Sequence, residues 1–307
     1  MISILLMRQI AVLFIMIGMG FAVVKSGMLK PEDSRTLSVL ILYLIFPCVI
    51  VKSFQIDLTA GVRTGFALAL ASAFIIHILL LGICFVLDKI FHLDNVEKDA
   101  VFYSNCGNLL IPLVAEVLGE EWVIYCSAYI CVQVLFLWTH GQMVMSGTRK
   151  AVPVKILKNP NMIAMMIGAV MLLTGMRFPS LIEDSLSAVT AAFVPACMLM
   201  IGMLLGNVKW KEMLKGRRVF LILILRMLII PCLILLYCKL TPLRRISPDA
   251  ETILFITFLA AAGPTATTIT QMAQLFGEDS EYAGAISILT TLSCIIFIPL
   301  MAFLYYL

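Results

Sequence analysis

Two stretches of the chain combine residue types and spacing that can do chemistry. One reads Phe102-Tyr103-Ser104-Asn105-Cys106-Gly107-Asn108-Leu109-Leu110-Ile111-Pro112, the other Leu259-Ala260-Ala261-Ala262-Gly263-Pro264-Thr265-Ala266-Thr267-Thr268. Each sets Gly beside Asn or Pro in the middle of an apolar run. Gly loosens a helix and Pro removes a backbone donor, so a helix through either stretch is expected to break. The half-helix after a break opens with unbonded N–H groups and a partial positive charge, a setting that suits an anion. Asparagine amides can donate to a carboxylate there without adding a fixed charge. The candidate binding set is Ser104, Asn105 and Asn108 with the backbone around Gly263, Pro264 and Thr265. The chemistry these residues offer is capture of an anion, not bond making.

Other polar residues stand inside apolar runs and need partners. Glu116 is a candidate for ion or proton coupling, set against simple contact with the membrane interface. Arg226 lies deep enough to be costly unless paired, and is a candidate for compensating the charge of an anion. His77 and His140 are read as hydrogen-bonded packing groups before proton relays. Gln133, Gln271 and Gln274 either line a cavity or join helices. Three histidines, no His-Glu-x-x-His motif and no paired acids within a run leave no constellation for an enzyme. Nine cysteines, at 48, 84, 106, 126, 131, 197, 232, 238 and 294, lack metal-ligand spacing and are read as small buried hydrophobes, so no metal and no cofactor is expected.

The elements that must position these residues follow from composition. Hydrophobic residues make up 62% and charged residues 13% of 307, where a soluble domain has nearer a quarter charged. Ten apolar stretches recur: Ile2 to Val24, Leu37 to Phe54, Thr64 to Leu87, Ala100 to Leu118, Trp122 to Met145, Met162 to Met176, Ser187 to Leu205, Val219 to Leu240, Thr252 to Phe276 and Ala283 to Leu307. Most approach the roughly 20 residues a helix needs to cross a bilayer, and none alternates as a barrel strand does. The expected fold class is an all-α polytopic membrane protein of ten transmembrane helices. The first stretch carries Arg8 inside its apolar run and shows no cleavage pattern, so it is read as a retained span. With the amino terminus outside, inner loops hold fourteen Lys and Arg and outer loops six, which favours both termini outside a plasma membrane. The net charge of +4 sits in loops and gives nucleic acid binding no support.

The chain also repeats itself. Gly20, Ser26, Gly27, Met28 and Pro31 find Gly168, Thr174, Gly175, Met176 and Pro179 at an offset of 148, which Pro47 and Pro195 keep. Ala115, Gly119, Glu120 and Glu121 match Ala273, Gly277, Glu278 and Asp279 at an offset of 158. The expected organisation is a first five-helix repeat over 1–146, a basic cytoplasmic linker over 147–158 and a second repeat over 159–307. An odd number of spans inverts the second copy, a transporter signature in which paired broken helices mark the binding site.

The Asn105-to-Pro112 segment, the Gly263-Pro264 break followed by Gly277-Glu278-Asp279, and the closing Ser287-Ile288-Leu289-Thr290-Thr291-Leu292-Ser293 to Ile298-Pro299-Leu300 run resemble the auxin efflux carrier family, over essentially the whole chain. That family is similar in architecture to bile acid symporters and sodium/proton antiporters. The resemblance implies a scaffold from spans 1, 2, 6 and 7, a moving part from spans 3 to 5 and 8 to 10, and a homodimer through the scaffold. It implies elevator-like transport of a carboxylate: plant members export auxin, and prokaryotic members, which this short chain resembles, are associated with malate, malonate and related acids. Plant carriers have proline where this chain has Ser104, which leaves the geometry of the first crossover open. A sodium- or proton-coupled ion transporter of the same architecture, and a sensor or receptor on the transporter fold, are the rival readings.

Overall fold

The computed structural model describes residues 2–55, 59–147, 158, 160–206 and 216–307. Those residues form helices: α1 Ile2–Lys25, α2 Pro31–Ser53, α3 Ala60–Phe91, α4 Asn95–Phe102, α5 Ile111–Val117, α6 Glu120–Ser146, α7 Pro160–Thr174, α8 Ser180–Ala191, α9 Phe193–Gly206, α10 Arg217–Leu240, α11 Ala250–Ala262, α12 Thr267–Phe276 and α13 Ser280–Tyr306. Among the described residues, six helices are long and apolar enough to cross a membrane, and α7 and α11 are shorter apolar helices. Large apolar side chains such as Phe85, Leu173, Leu181 and Leu240 stand exposed, as residues facing lipid do. The chain is an all-α membrane protein.

The helices sort into two groups by contact. In one, α1 packs on α9, and α2 packs on α7, α8 and α9; in the other, α3 packs on α6 and α11, α10 on α11, and α12 on α13. Glycine makes the tightest seam possible. A Cβ on Gly20 would lie 2.2 Å from Leu199 O, one on Gly202 2.0 Å from Ile17 O, and one on Gly206 2.6 Å from Val24 Cγ1. Gly202 and Gly206 have the four-residue spacing that lets two membrane helices meet backbone to backbone. In the second group α11 is buried on nearly every side from Ile253 to Ala262, so it runs through the middle of the protein. Hydroxyl pairs join helices between and within the groups: Ser53 Oγ on α2 lies 2.8 Å from Ser127 Oγ on α6, and within the second group Ser72 Oγ lies 3.1 Å from Thr257 Oγ1.

Several helices are locally widened into π turns, at Ile41–Ile45, Cys106–Leu110, Leu137–Gly141 and Leu225–Ile229. Three have a common cause in the sequence. Pro47, Pro112 and Pro231 each occupy the second residue of the helix that follows one. A proline offers no N–H to the preceding turn and crowds the carbonyl four residues back, and a wider turn relieves both. Pro47 therefore comes with a widened turn immediately before it.

Gly202→Ala should lower the unfolding midpoint by several degrees, because overpacking a closed backbone seam costs about 1–3 kcal/mol. Gly18→Ala, with open space around its Cβ, should leave the midpoint unchanged or raised. Thermal unfolding of the purified variants in detergent checks both.

Candidate functional site

The two chemistry-bearing stretches meet. α4 starts on a reciprocal cap, with Asp94 Oδ1 accepting from Glu97 N at 2.8 Å and Glu97 Oε2 from Asp94 N at 3.0 Å. It ends at Phe102, after which Tyr103 is extended and helix resumes at Cys106. α11 ends at Ala262, Gly263 leaves the helical region at φ −59° and ψ 165°, and α12 begins at Thr267. A residue before proline is disfavoured in the helical region, which explains the exit at Gly263. The two extended pieces cross as a one-rung antiparallel bridge between Ser104 and Thr265. Asn105 N donates to Pro264 O at 2.7 Å, and Ala266 N to Tyr103 O at 3.0 Å.

The first break has no proline to cause it, and a side chain does the work. Gln133 Oε1 accepts from Ser104 N at 3.2 Å and from Ser104 Oγ at 2.8 Å, while Gln133 Nε2 donates to Ser104 O at 2.8 Å. One amide thus takes both backbone groups of Ser104, as a neighbouring strand would. A proline at 104 could not donate the N–H, so Ser104 and Gln133 form a unit that replaces it. Gln133 lines the cavity and joins helices at once.

Helices that stop inside a membrane leave their last carbonyls without partners. Arg226 supplies the donors. It is fully buried, and its Nε donates to Gly263 O at 3.0 Å, Nη1 to Val101 O at 2.9 Å and Nη2 to Ala261 O at 2.8 Å. Each helix carboxyl end carries about half a negative charge, so the two ends converging here balance one guanidinium. Arg226 was expected to compensate a bound anion; instead it compensates the helices, and it does not line the cavity.

A cavity of about 170 Å³ lies against the crossing, lined by Tyr43, Phe46, Asn105, Gln133, Trp138 and Thr268 among others, with no charged side chain. Asn105 is 5% exposed, and its Nδ2 has no hydrogen-bond partner among the described residues. Across the cavity stand Ala266, Thr267 and Thr268, where α12 opens without a side-chain cap. Ser104 also lines it. Thr265 is turned away: its N donates to Thr290 Oγ1 at 3.2 Å and its Oγ1 donates to Ala100 O at 2.8 Å. Gly263 borders a separate void of about 10 Å³, apolar but for Asn105, and a Cβ there meets only ordinary contacts. Pro264 contributes the carbonyl that holds Asn105. The side chain of Asn108 lies outside the described residues, as do those of Gln271 and Gln274.

Glu116 is elsewhere. It is exposed and lines a larger cavity, of about 730 Å³, with Lys52, Glu120, Glu121 and Glu183. Phe46 lines the smaller cavity and Phe193 the larger, and their rings stack at 5.4 Å with planes 9° apart. His77 Nδ1 lies 2.7 Å from Ala73 O and its ring packs on Phe136. His140 Nδ1 lies 3.0 Å from Tyr103 Oη, which donates to Phe136 O at 2.9 Å. Both rings pack against aromatic neighbours, and the buried Nε2 of His77 has no hydrogen-bond partner among the described residues. The sequence reading missed Tyr43, Trp138 and Asn161 as lining residues and Arg226 as a clamp.

Arg226→Leu should destabilise the protein by about 3–5 kcal/mol, the usual loss when one side of a buried charged network is removed. Arg226→Lys should recover less than half of that, since a point charge cannot reach three carbonyls in a fork. Denaturation of both variants beside the parent measures it.

A family model described as membrane transport protein matches residues 5–152 and again 148–302. No curated protein matches the chain. The chain belongs to this membrane transport protein family, of the auxin efflux carrier type.

Proposed function

We propose that, as a member of that family, the chain is a secondary transporter or facilitator that moves a small organic anion by alternating access. The anion sits between Asn105 and the first turn of α12. One observation supports the reading: among the described residues the buried amide donor of Asn105 has no hydrogen-bond partner, and Asn105 lines a cavity without a charged side chain together with the start of α12, which has no side-chain cap. Both sides offer donors to a carboxylate. The same geometry weighs against a cation, because the carbonyl ends a sodium ion would use are taken by Arg226. A carboxylate such as malate, malonate or an auxin-like acid fits this donor set.

The architecture behind the proposal is ten spans in two inverted five-helix repeats. Its support is that both interruptions fall at matched places, and that Gly27, Gly175, Gly119 and Gly277, two repeat-matched pairs, all have positive φ. The group containing α3 to α6 and α10 to α13 carries the crossing, while Phe46, Phe193 and Asn161 belong to the other group. An elevator-like slide of the first group past the second would take the anion from one side of the stacked Phe46–Phe193 pair to the other. The distribution of basic residues supports an orientation with both termini and Glu120 outside a plasma membrane; Lys155 and Lys211, which would face inside, lie outside the described residues. A homodimer through the second group completes the proposal.

Uptake of labelled malate, malonate and indole-3-acetate by purified protein in liposomes tests the function. Asn105→Ala should weaken binding of the transported acid roughly ten- to a hundredfold, the worth of a charge-assisted hydrogen bond. Pro264→Ala should reduce transport more than expression. Folded variants that bind and move the acid like the parent would remove the crossing as the site. For the topology, a cysteine at position 120 should react with an impermeant reagent from outside and one at 155 should not, and the mass in nanodiscs should be that of a dimer.

A further inference from the structure

Asp99 takes part in none of the interactions described above. It lies one turn into α4, is fully buried, and neither carboxylate oxygen has a hydrogen-bond partner among the described residues. The charged and titratable groups around α4 are engaged with others. On α4 itself, Glu97 receives Arg218 Nε at 2.8 Å and Tyr282 Oη at 2.7 Å, and Lys98 Nζ pairs with Asp88 Oδ2 at 3.1 Å. Tyr103, the next turn, is held by Phe136 O and His140.

The elements packed on α4 are α3, α6, α10, α12 and α13. From α3 come Cys84 and the paired Asp88. α6 brings His140, through Tyr103, and Gln142, whose Oε1 also lacks a partner among the described residues. From α10 come Arg218, engaged with Glu97, Phe91 O and His92 O, and Arg226, engaged with the helix ends. α12 has no titratable residue. α13 brings Tyr282, already on Glu97, and Cys294. The contrast with Glu97 is instructive. Burial raises the proton affinity of Glu97, but Arg218, Tyr282 and the Asp94 N–H outweigh it and hold that carboxyl below its usual range. Asp99 has the burial and none of the donors, and a bare carboxylate without donors is strongly disfavoured in a dry interior. Burial without donors favours the neutral carboxylic acid in this conformation.

We propose that Asp99 carries a proton that accompanies the anion through the membrane. Its own carbonyl accepts Tyr103 N at 2.9 Å, so it sits on the half-helix whose end forms the crossing. An anion bound at Asn105 and an ionised Asp99 on the same element repel one another. Anion binding therefore favours the protonated acid, and by reciprocity the proton favours the anion, by a factor on the order of ten. The exchange is Asp99 carboxylate plus a solvent proton giving the carboxylic acid, with nothing oxidised or reduced. Co-movement of one proton cancels the charge of a monoanion.

The inference rests on the anion-transport reading, and the test separates the two. Liposomes holding purified parent, Asp99→Asn or Asp99→Glu protein are given labelled malate or malonate with and without an inside-alkaline pH gradient, against protein-free liposomes. The parent should accumulate the acid under the gradient, towards about tenfold per pH unit for one proton carried with each molecule of acid at zero membrane potential. Asp99→Asn, permanently neutral and near-isosteric, should still equilibrate the acid but lose the response to the gradient; Asp99→Glu should retain it. Infrared difference spectra between neutral and alkaline pH should show a protonated carboxyl band in the parent that Asp99→Asn lacks, with no substrate needed. Parent flux that ignores the gradient, an Asp99→Asn protein that accumulates like the parent, or a band unchanged by the substitution overturns the proton role alone. Absence of flux for either acid under both conditions overturns the transport reading.

Discussion

A helix that stops inside a membrane leaves carbonyls at one end and amides at the other, with no water to bind either. Two helices of this chain do so at the same place, and the protein treats the two kinds of end differently. The carbonyl ends of α4 and α11 are closed for good by Arg226, whose one positive charge matches two half-charges of opposite sign. The amide end of α12 receives no side-chain cap, and the donor of Asn105 opposite it has no partner among the described residues. A permanent internal cation on one side leaves the other side electropositive and available. On the proposed function, that asymmetry would give the crossing a preference for an exchangeable anion.

The crossing is shaped by a few neighbours. Gln133 holds Ser104 by both backbone groups, so the first chain can be extended for three residues without proline. The π turns at Ile41–Ile45, Cys106–Leu110 and Leu137–Gly141 supply Tyr43, Cys106, Gly107, Leu137 and Trp138 to the cavity, and the one at Leu225–Ile229 supplies Arg226. Widened turns reorient side chains that a regular helix would direct elsewhere. Gly141 fits closely against the Tyr103 ring, where a Cβ would come within 2.8 Å. Tyr103 in turn fixes the backbone whose carbonyl holds Ala266.

Much of this is written in single residues, and what is not has a physical reason. Pro264 and Gly263 announce a break because their backbone preferences are local, and the structure places it there. Asn105 is legible as a donor for the same reason. Thr265 was read as part of the site, but alternation along an extended chain turns it towards Thr290 and Ala100 and gives the cavity wall to its neighbours. Arg226 could be seen as buried and in need of a partner; which carbonyls it meets depends on helices far apart in sequence. Gln133 was one of three glutamines with no local mark to distinguish it. Proline positions suggest where helices are perturbed, but only coordinates distinguish a π turn from a kink. Asp99 was not singled out, because it sits just before a run of apolar residues and nothing local signals its burial.

The central claim is that the anion occupies the cavity between Asn105 and α12. Site-directed protection measures this most directly. In a cysteine-free protein, Thr268→Cys lies in that cavity and Ser187→Cys in the larger one beside Glu116. The rate of maleimide reaction at each is followed as a transported acid, malate or malonate, is added. Slowing at position 268 with the concentration dependence of transport, and no change at 187, is the predicted result. A transported acid that saturates transport while leaving position 268 as reactive as before, or that protects 187 instead, would contradict the account.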